Sequence, residues 1–244
     1  MHERLTDALL QCGSTMDRAV LFPSLIPEAA AFVLNNPYAF AMATCLDRGT
    51  KAEIIWTIPH DIYKQLGHLT PRVIDAMTTE ELSALIRMIP RKPRYLNDAP
   101  RTIKELTKIV VEECGGDAAK MWHGKPAGEV KRTFMSVHGV GPGIASMALL
   151  LIETAFGVRF NDLDHTKMDI KPDVHTVRVL YRLGVSNEAT EKAAIQAARR
   201  CNPKYPGELD APLWYIGRKW CAAVKPRCST CIVSGLCRKI GISK

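Results

Sequence analysis

The sequence feature that most constrains the fold is a glycine-rich turn at residues 137–147, which read Val-His-Gly-Val-Gly-Pro-Gly-Ile-Ala-Ser-Met. Glycine permits a tight turn, and proline is well accommodated in the first turn of a helix. The pattern therefore predicts two helices joined by a hairpin at 137–152. Glycine amides at a helix N-terminus can bind a phosphate oxygen.

A second segment, residues 172–179, reads Pro-Asp-Val-His-Thr-Val-Arg-Val. The pattern predicts a helix from His175, with Asp173 just before its N-terminus. There, Asp173 can act as a helix cap, as a catalytic carboxylate, or as both. A phosphate-binding turn followed by one carboxylate suggests chemistry on a nucleic acid.

The rest of the chain has the apolar spacing and end signals of helices, and no alternating run is long enough to predict a strand. The predicted fold class is all-α. We expect Gly13 to end the first helix. The predicted helices cover about residues 3–12, 27–34, 38–46, 51–58, 61–66, 100–114, 129–136, 175–183, 187–200 and 209–224. Another helix is predicted to start at residues 70–71, and a further one starts with an N-cap and an acidic first turn at residues 78–82.

The composition is that of a globular protein with a basic surface. The 244 residues are 47% hydrophobic, and 33 Lys and Arg against 25 Asp and Glu give a net charge of +8. This length suits one large domain or two small ones, and the charge favours a polyanionic partner over a membrane. The sequence shows neither a signal peptide nor an apolar run of about 18 residues. We expect a cytoplasmic, nucleoid-associated monomer with no membrane partner.

The cysteines fall into two groups. Four are scattered through predicted helices, and the other four form a C-x6-C-x2-C-x5-C pattern made by Cys221, Cys228, Cys231 and Cys237. The scattered thiols favour a reducing compartment over a disulfide framework. Four thiolates close together need a cation, which can be zinc or an iron–sulfur cluster. Because zinc sites most often use two CxxC pairs and this segment has one, we favour the cluster over zinc.

The glycine hairpin, Asp173 followed by His175 and Arg178, and the C-terminal cysteines together resemble the helix-hairpin-helix DNA glycosylases of the endonuclease III type. The resemblance is strongest from about residue 133 onward. It implies a two-lobed fold with an iron–sulfur domain. One lobe is a central bundle at 35–165 that holds the hairpin. The other consists of 1–34 plus 166–244 and carries a [4Fe–4S] loop at 221–237.

The resemblance also implies a partner, double-stranded DNA with a damaged or mismatched base, lying between the lobes, and it assigns roles to residues of this chain. Asp173 becomes the catalytic carboxylate. The predicted DNA contacts are Gly139, Gly141, Gly143, His138 and Arg178, together with a basic loop that contains Arg91, Lys92 and Arg94. Asp47 and Arg48 fall where the family refills the gap left by a flipped base. Each of these assignments has a structural alternative. The basic loop can be an ordinary solvated loop, Asp47 and Arg48 can form a helix-ending turn, and His138 can be a structural histidine.

Gly143 departs from the family pattern. Bifunctional members carry a lysine at this position, which attacks the sugar, so its absence predicts hydrolysis of the base without strand cleavage. Lys167 and Lys171 in the long loop before Asp173 are alternative nucleophiles. Three aspartates in that loop, Asp162, Asp164 and Asp169, compete for the carboxylate role.

The predicted function is thus a monofunctional DNA glycosylase of base excision repair. One alternative is a glycosylase and abasic-site lyase that uses a different lysine. Another is a DNA-binding protein with a structural metal centre and no catalysis. The sequence does not identify the base. Because lysine-free members of the superfamily often hydrolyse mismatched or deaminated bases, we expect a substrate of that kind.

Overall fold

The computed structural model describes residues 2–242, and within them it contains α-helices and short 3-10 helices but no β-strand. The all-α prediction is confirmed. Met1, Ser243 and Lys244, which the predicted domains include, lie outside the described residues. The α-helices are α1 His2–Thr15, α2 Pro27–Asn35, α3 Pro37–Leu46, α4 Ala52–Ile55, α5 Ile58–Leu66, α6 Pro71–Ala76, α7 Thr79–Met88, α8 Ala99–Glu112, α9 Ala127–Ser136, α10 Pro142–Phe156, α11 Val174–Leu183, α12 Glu191–Cys201 and α13 Asp210–Lys219.

The chain forms two compact units. The central unit runs from Arg18 to Leu163, and the terminal unit combines the chain up to Asp17 with the chain from Asp164 onward. The predicted N-terminal boundary at residues 34 and 35 is therefore wrong, because residues 18–34 belong to the central unit. The physical reason is Phe22, which is fully buried and packs against Phe40 and Trp56 in that unit.

The core of the central unit is aromatic around α3. The Phe40 ring contacts the rings of Trp56, Trp122 and Phe156. Trp122 and Phe40 are fully buried, and helix α8 packs across α3, α6 and α7. In residues 2–242 no single helix is long and apolar enough to cross a membrane; α2 and α3 pass that test only as a pair, which is bent by 112°.

Several helix ends follow simple capping rules. Thr78 accepts a hydrogen bond from the Glu81 amide while the Glu81 side chain accepts one from the Thr78 amide, which is the predicted cap of α7. The predicted helix at 51–58 is instead split into α4 and α5, because Pro59 suits the first turn of a new helix. Helix α12 begins later than predicted, after the cap residue Thr190.

Helix α1 continues through Gly13, so the prediction that Gly13 ends it is wrong. Gly13 lies against the Pro212 side chain, which a Cβ atom there would meet at 3.5 Å, so this part of α1 packs on α13. The core of the terminal unit joins α1, α11, α12 and α13, with Leu9, Leu180 and Leu213 fully buried. Helix α13 ends at Lys219 instead of residue 224, because the chain there turns into the cysteine loop.

Candidate active site

The predicted hairpin is present between α9 and α10. Gly139 has a φ of 80°, in the region that favours glycine, and the Val140 amide donates to the Val137 carbonyl at 3.1 Å. Gly141 is the N-cap of α10, and a Cβ atom at Gly141 or Gly143 would meet nothing within 4 Å. First-turn amides have no acceptor inside their own helix. The hairpin therefore presents an open, amide-rich helix start that suits an anion.

Helix α8 holds this hairpin in place through the backbone of His138. The Thr102 hydroxyl donates to the His138 carbonyl at 3.0 Å, and the His138 amide donates to the Glu105 carboxylate at 2.7 Å. Burial alone raises the pKa of Glu105, but hydrogen bonds from Arg101 and the His138 amide lower it overall, so Glu105 stays ionised. The His138 ring nitrogen lies 3.9 Å from the Asp98 carboxylate. The structure thus gives His138 a role in shaping the hairpin, while its contact with DNA stays a prediction.

Asp47 and Arg48, the residues predicted to lie at the gap left by a flipped base, directly follow α3. Asp47 is the C-cap of α3, and its amide donates to the Thr44 carbonyl at 3.2 Å. Arg48 is half-buried, and its Nη2 atom donates to the Thr102 hydroxyl at 3.0 Å. The Arg48 guanidinium also lies 5.2 Å from the centre of the Tyr95 ring. Arg48 therefore makes two contacts within the central unit, one with Thr102 and one with Tyr95.

The basic loop between α7 and α8 uses its cations to hold its own conformation. Arg91 binds the buried Asp61 carboxylate at 2.8 Å, the Lys92 ammonium donates to the Ile89 carbonyl, and Arg94 donates to the Gly49 carbonyl at 3.0 Å. Burial raises the pKa of Asp61 more than Arg91 lowers it. The ion pair with Arg91 therefore stabilises the charged form of a carboxylate that is shielded from water.

The ring of Tyr95, beside these cations, is 45% exposed. The DNA contacts predicted for Arg91, Lys92 and Arg94 stay predictions. The structure adds that these residues also fix the loop, and that Tyr95 is its exposed aromatic group.

Asp173 is the N-cap of α11. Its Oδ1 atom accepts hydrogen bonds from the amides of His175 and Thr176, both at 2.8 Å, and its own amide donates to the Thr176 hydroxyl at 2.9 Å. The side chain is half-buried. Its Oδ2 atom has no hydrogen-bond donor among residues 2–242. The cap therefore fixes the carboxylate and leaves one oxygen for other chemistry.

The three competing aspartates all have structural partners. Asp162 accepts from the amide of Ala127 at the start of α9 at 2.9 Å. Asp164 accepts from the Thr166 hydroxyl at 2.6 Å and pairs with Lys167 at 2.9 Å. Asp169 binds Arg199 through two bonds of 2.7 and 2.6 Å. These contacts account for the three side chains and leave Asp173 as the strongest candidate for catalysis.

The two candidate lysines are placed differently. Lys167 is exposed, and its ammonium group is engaged by Asp164. The Lys171 amide donates to the Asp210 carboxylate at 2.7 Å. Sequence reasoning missed Asp210, because an acid in the first turn of α13 is an ordinary helix-dipole residue.

Arg178 is hydrogen-bonded within the terminal unit, and its predicted contact with DNA stays a prediction. Four of its hydrogen bonds stay within the terminal unit, and they reach the Cys221 carbonyl, the Val174 carbonyl, His175 Nδ1 and the Gly217 carbonyl. Burial lowers the pKa of His175, so a neutral ring accepts from Arg178. A Cβ atom at Gly217 would lie 2.7 Å from the Cβ atom of His175, which shows how closely α11 and α13 pack. Arg178 ties the helix that carries Asp173 to the start of the cysteine loop.

The four C-terminal cysteines line one cavity together with apolar side chains of α11 and α13. Arg182 closes it at one side, where Nη1 lies 3.5 Å from the Cys221 sulfur and donates to the Ala222 carbonyl at 2.7 Å. Burial, followed by the charge of the neighbouring thiolates, raises the pKa of Cys231 and Cys237. A bound cationic group would offset that repulsion.

No three His, Cys, Asp or Glu side chains in the described part of the chain converge as they would around a single metal ion. In a [4Fe–4S] cluster each of four thiolates binds a different iron atom, so the sulfurs stand further apart than around one zinc ion. Four thiols around a common cavity therefore suit a cluster as a donor set.

Comparison with known proteins gives one relative in sequence. The chain is 26% identical over 211 residues to endonuclease III homolog 1, chloroplastic, of Arabidopsis thaliana, a match that covers 82% of this chain. The chain spans about half the length of that protein, at 48%. No family model matches.

Solved structures decide the fold. A trapped covalent endonuclease III–DNA intermediate matches with a TM-score of 0.56 and 20% identity over 98% of this chain and 96% of that chain. The chain has the fold of endonuclease III. A thermostable thymine-DNA glycosylase matches with a TM-score of 0.54 and 20% identity over 97% and 94% of the two chains. A non-covalent endonuclease III–DNA complex gives 0.52 and 23% over 84% of each. The fold implied by the resemblance of the hairpin, Asp173 and the cysteines is confirmed.

Proposed function

We propose that this helix-hairpin-helix protein is a DNA glycosylase that flips a damaged or mismatched base out of a duplex and hydrolyses its N-glycosidic bond. The observation that carries the proposal is the hydrogen bonding of the Asp173 carboxylate. One carboxylate oxygen is fixed by two backbone amides and the other has no donor in the described chain. A positioned carboxylate with an available oxygen is the group that this hydrolysis needs.

The chemistry follows from the bond that is broken. A base inside a stacked duplex is not accessible, so the nucleotide must rotate out first. As the bond to the base lengthens, its electrons leave with the base and positive charge develops on the deoxyribose. Asp173 stabilises that charge and accepts a proton from the water that attacks the sugar carbon. The open amides around Gly141 and Gly143 hold a backbone phosphate in this scheme.

The exposed Tyr95 ring beside the basic loop supports a role in filling the stack after the base leaves. Aromatic side chains stack on bases with little dependence on sequence. The cations of the loop support phosphate binding as well, since each has further N–H donors.

We propose that the enzyme is monofunctional. Position 143 carries no amine, and the Lys167 ammonium is paired with Asp164. The product is then an abasic site in an unbroken strand. A mismatched or deaminated base is the proposed substrate class.

We also propose a [4Fe–4S] cluster held by Cys221, Cys228, Cys231 and Cys237. When bound, such a cluster supplies a rigid crosslink of four chain positions and carries no part of the hydrolysis. The chain's own contribution is the cavity lined by the thiols and the N–H donor of Arg182 beside the Cys221 sulfur. The loop around these cysteines also carries basic residues such as Lys225 and Lys239, which suit the phosphate backbone.

A panel of labelled duplexes tests the function. Each duplex carries one lesion or mismatch, and the products are separated with and without hot alkali. We expect breaks only after alkali, at one class of base. Breaks without alkali, together with a complex trapped by borohydride, would identify a lyase instead. Binding without base release from any duplex would identify a DNA-binding protein that lacks catalysis.

A further inference from the structure

The Arg48 side chain occupies the space beside the hairpin glycine. A Cβ atom built on Gly139 would lie only 1.6 Å from Arg48 Nη1 and 2.3 Å from Arg48 Cζ. No side chain fits there while the guanidinium is in place. The φ of 80° favours glycine at position 139, and the absence of a Cβ atom there leaves room for the Arg48 guanidinium.

Arg48 also belongs to the hydrogen-bond chain that holds the hairpin. Its Nη2 atom donates to the Thr102 hydroxyl at 3.0 Å, and that hydroxyl donates to the His138 carbonyl at 3.0 Å. Thr102 is fully buried, so the link runs through a dry region where hydrogen bonds are strong. The orientation of the Arg48 guanidinium and the backbone of the hairpin therefore depend on each other.

The same guanidinium also meets the exposed aromatic group of the basic loop, Tyr95. The Arg48 Cζ atom lies 5.2 Å from the centre of the Tyr95 ring, within the range of a cation–π contact. Next to it, Arg94 donates to the Gly49 carbonyl at 3.0 Å. Three loops of the central unit thus meet at Arg48.

We propose that Arg48 is a positioning residue that sets the hairpin and the Tyr95 ring in the arrangement needed to bind duplex DNA. The proposal rests on the proposed function for the identity of the ligand. It differs from the role that the sequence suggested, in which Arg48 itself enters the gap left by the base. The Nε atom of Arg48 is buried without a partner among the described residues, which suits a side chain packed inside its own unit.

Arginine suits this position better than lysine. The planar guanidinium can lie flat against the glycine backbone, stack on an aromatic ring and still direct an N–H toward a hydroxyl. An ammonium group keeps the charge but offers no planar surface. The Arg48→Lys variant therefore keeps the positive charge and removes the planar group, so it distinguishes the positioning role from an effect of charge alone.

The test uses the full chain and an undamaged duplex as the binding probe. The variants are Arg48→Met, Arg48→Lys and Thr102→Val, and the control is Arg87→Met, which removes an exposed arginine of α7 that bonds Asn97. Hydrogen exchange of the bonded amides of His138, Val140 and Ala145 reports the hairpin. Fluorescence anisotropy across a salt series reports affinity and the number of phosphate contacts.

We expect Arg48→Met and Arg48→Lys to speed hairpin exchange and to weaken duplex binding by about tenfold, the scale of one lost interaction. Thr102→Val speeds the same exchange. The slope of log affinity against log salt stays at the native value, because no phosphate contact by Arg48 is lost. Arg87→Met changes neither readout.

A slope that falls by about 0.9 in Arg48→Met, the value of one phosphate contact, would overturn the proposal, because Arg48 would then bind DNA directly. Full rescue by lysine, or unchanged hairpin exchange in the arginine variants, would overturn it as well. These readouts need no base release. A protein that binds DNA and releases no base would therefore disprove the glycosylase function while the outcome for Arg48 stays measurable.

Discussion

The Asp210 carboxylate accepts a hydrogen bond from the backbone amide of Lys171 at 2.7 Å. Lys171 lies two residues before Asp173, so this bond anchors the segment that leads to the proposed catalytic group. Burial, with a smaller contribution from the negative charge of Asp173, raises the pKa of Asp210 to about 7, although the amide and the positive charge of Lys171 act to lower it. We therefore expect Asp210 to change its charge near neutral pH.

This shift predicts that the folded protein becomes less stable as the pH rises. An aspartate has an ordinary pKa of 3.8, and the folded value here is higher, so the folded state binds the proton more tightly than the unfolded state. The stabilisation is complete below the ordinary value and is lost as the pH rises through the folded value near 7. We expect Asp210→Asn to reduce this dependence while it keeps an oxygen acceptor for Lys171.

Urea unfolding at about pH 5 and about pH 8 measures the effect. Asp7→Asn, which changes an exposed carboxylate of α1 in the same unit, is the control and should leave the difference unchanged. Equal pH dependence in the native protein and Asp210→Asn would contradict the prediction.

Asp173→Asn should separate capping from catalysis. Asparagine caps helices about as well as aspartate, so we expect stability and duplex binding close to those of the native protein. Base release should fall by at least about 100-fold, because the amide neither accepts the proton nor carries the charge. Single-turnover assays on the substrate found in the lesion panel measure this loss.

The control for that experiment is Thr190→Ala. Thr190 caps α12 in the same unit through the Ala193 amide at 3.3 Å, so its loss should destabilise by about 1 kcal/mol without slowing base release. Native activity in Asp173→Asn would remove Asp173 from the mechanism.

Local patterns predicted much of this fold. The capping box at Thr78, the hairpin at Gly139 and the cap at Asp173 are all encoded within a few residues, because the groups that satisfy one another are close in sequence. Such features can be recognised without knowledge of the tertiary structure.

Features that depend on distant contacts were not predictable in the same way. Gly13 has the sequence signal of a helix end but packs against Pro212, about two hundred residues away. Arg178 was predicted from its charge as a DNA contact, and the structure adds hydrogen bonds to the Cys221 and Gly217 carbonyls that the local pattern does not show. The N-terminal boundary between the two units could not be predicted from the sequence, because only the tertiary structure shows that Phe22 packs against Phe40.

Substitution of a cluster cysteine should remove the iron. We expect the native protein to be brown with about four iron atoms per chain, and Cys228→Ala to lose both the colour and the iron. The variant should also unfold at a lower temperature, because the four-point crosslink of the loop is lost. Metal analysis and visible absorbance measure the first effect, and thermal unfolding measures the second.

Cys201→Ala is the matched control for the cysteine prediction. Cys201 lies in α12 of the same unit, outside the four-cysteine pattern, so this variant should retain iron and colour. A colourless native protein with one zinc ion per chain would contradict the cluster and leave a structural zinc site.

Gly143→Lys should add strand cleavage to base release. A Cβ atom at Gly143 meets nothing within 4 Å, so the first turn of α10 has room for a new side chain. The amine would stand at the position to which the sequence resemblance assigns the nucleophile of the bifunctional glycosylases, and it could form a Schiff base with the sugar carbon. We expect breaks without alkali and a protein–DNA complex trapped by borohydride.

Gly143→Gln adds a side chain of similar reach without an amine and should give neither product. If Gly143→Lys binds duplex and releases base but traps no complex, the hairpin does not bring position 143 to the sugar, and the absent lysine no longer explains a monofunctional enzyme.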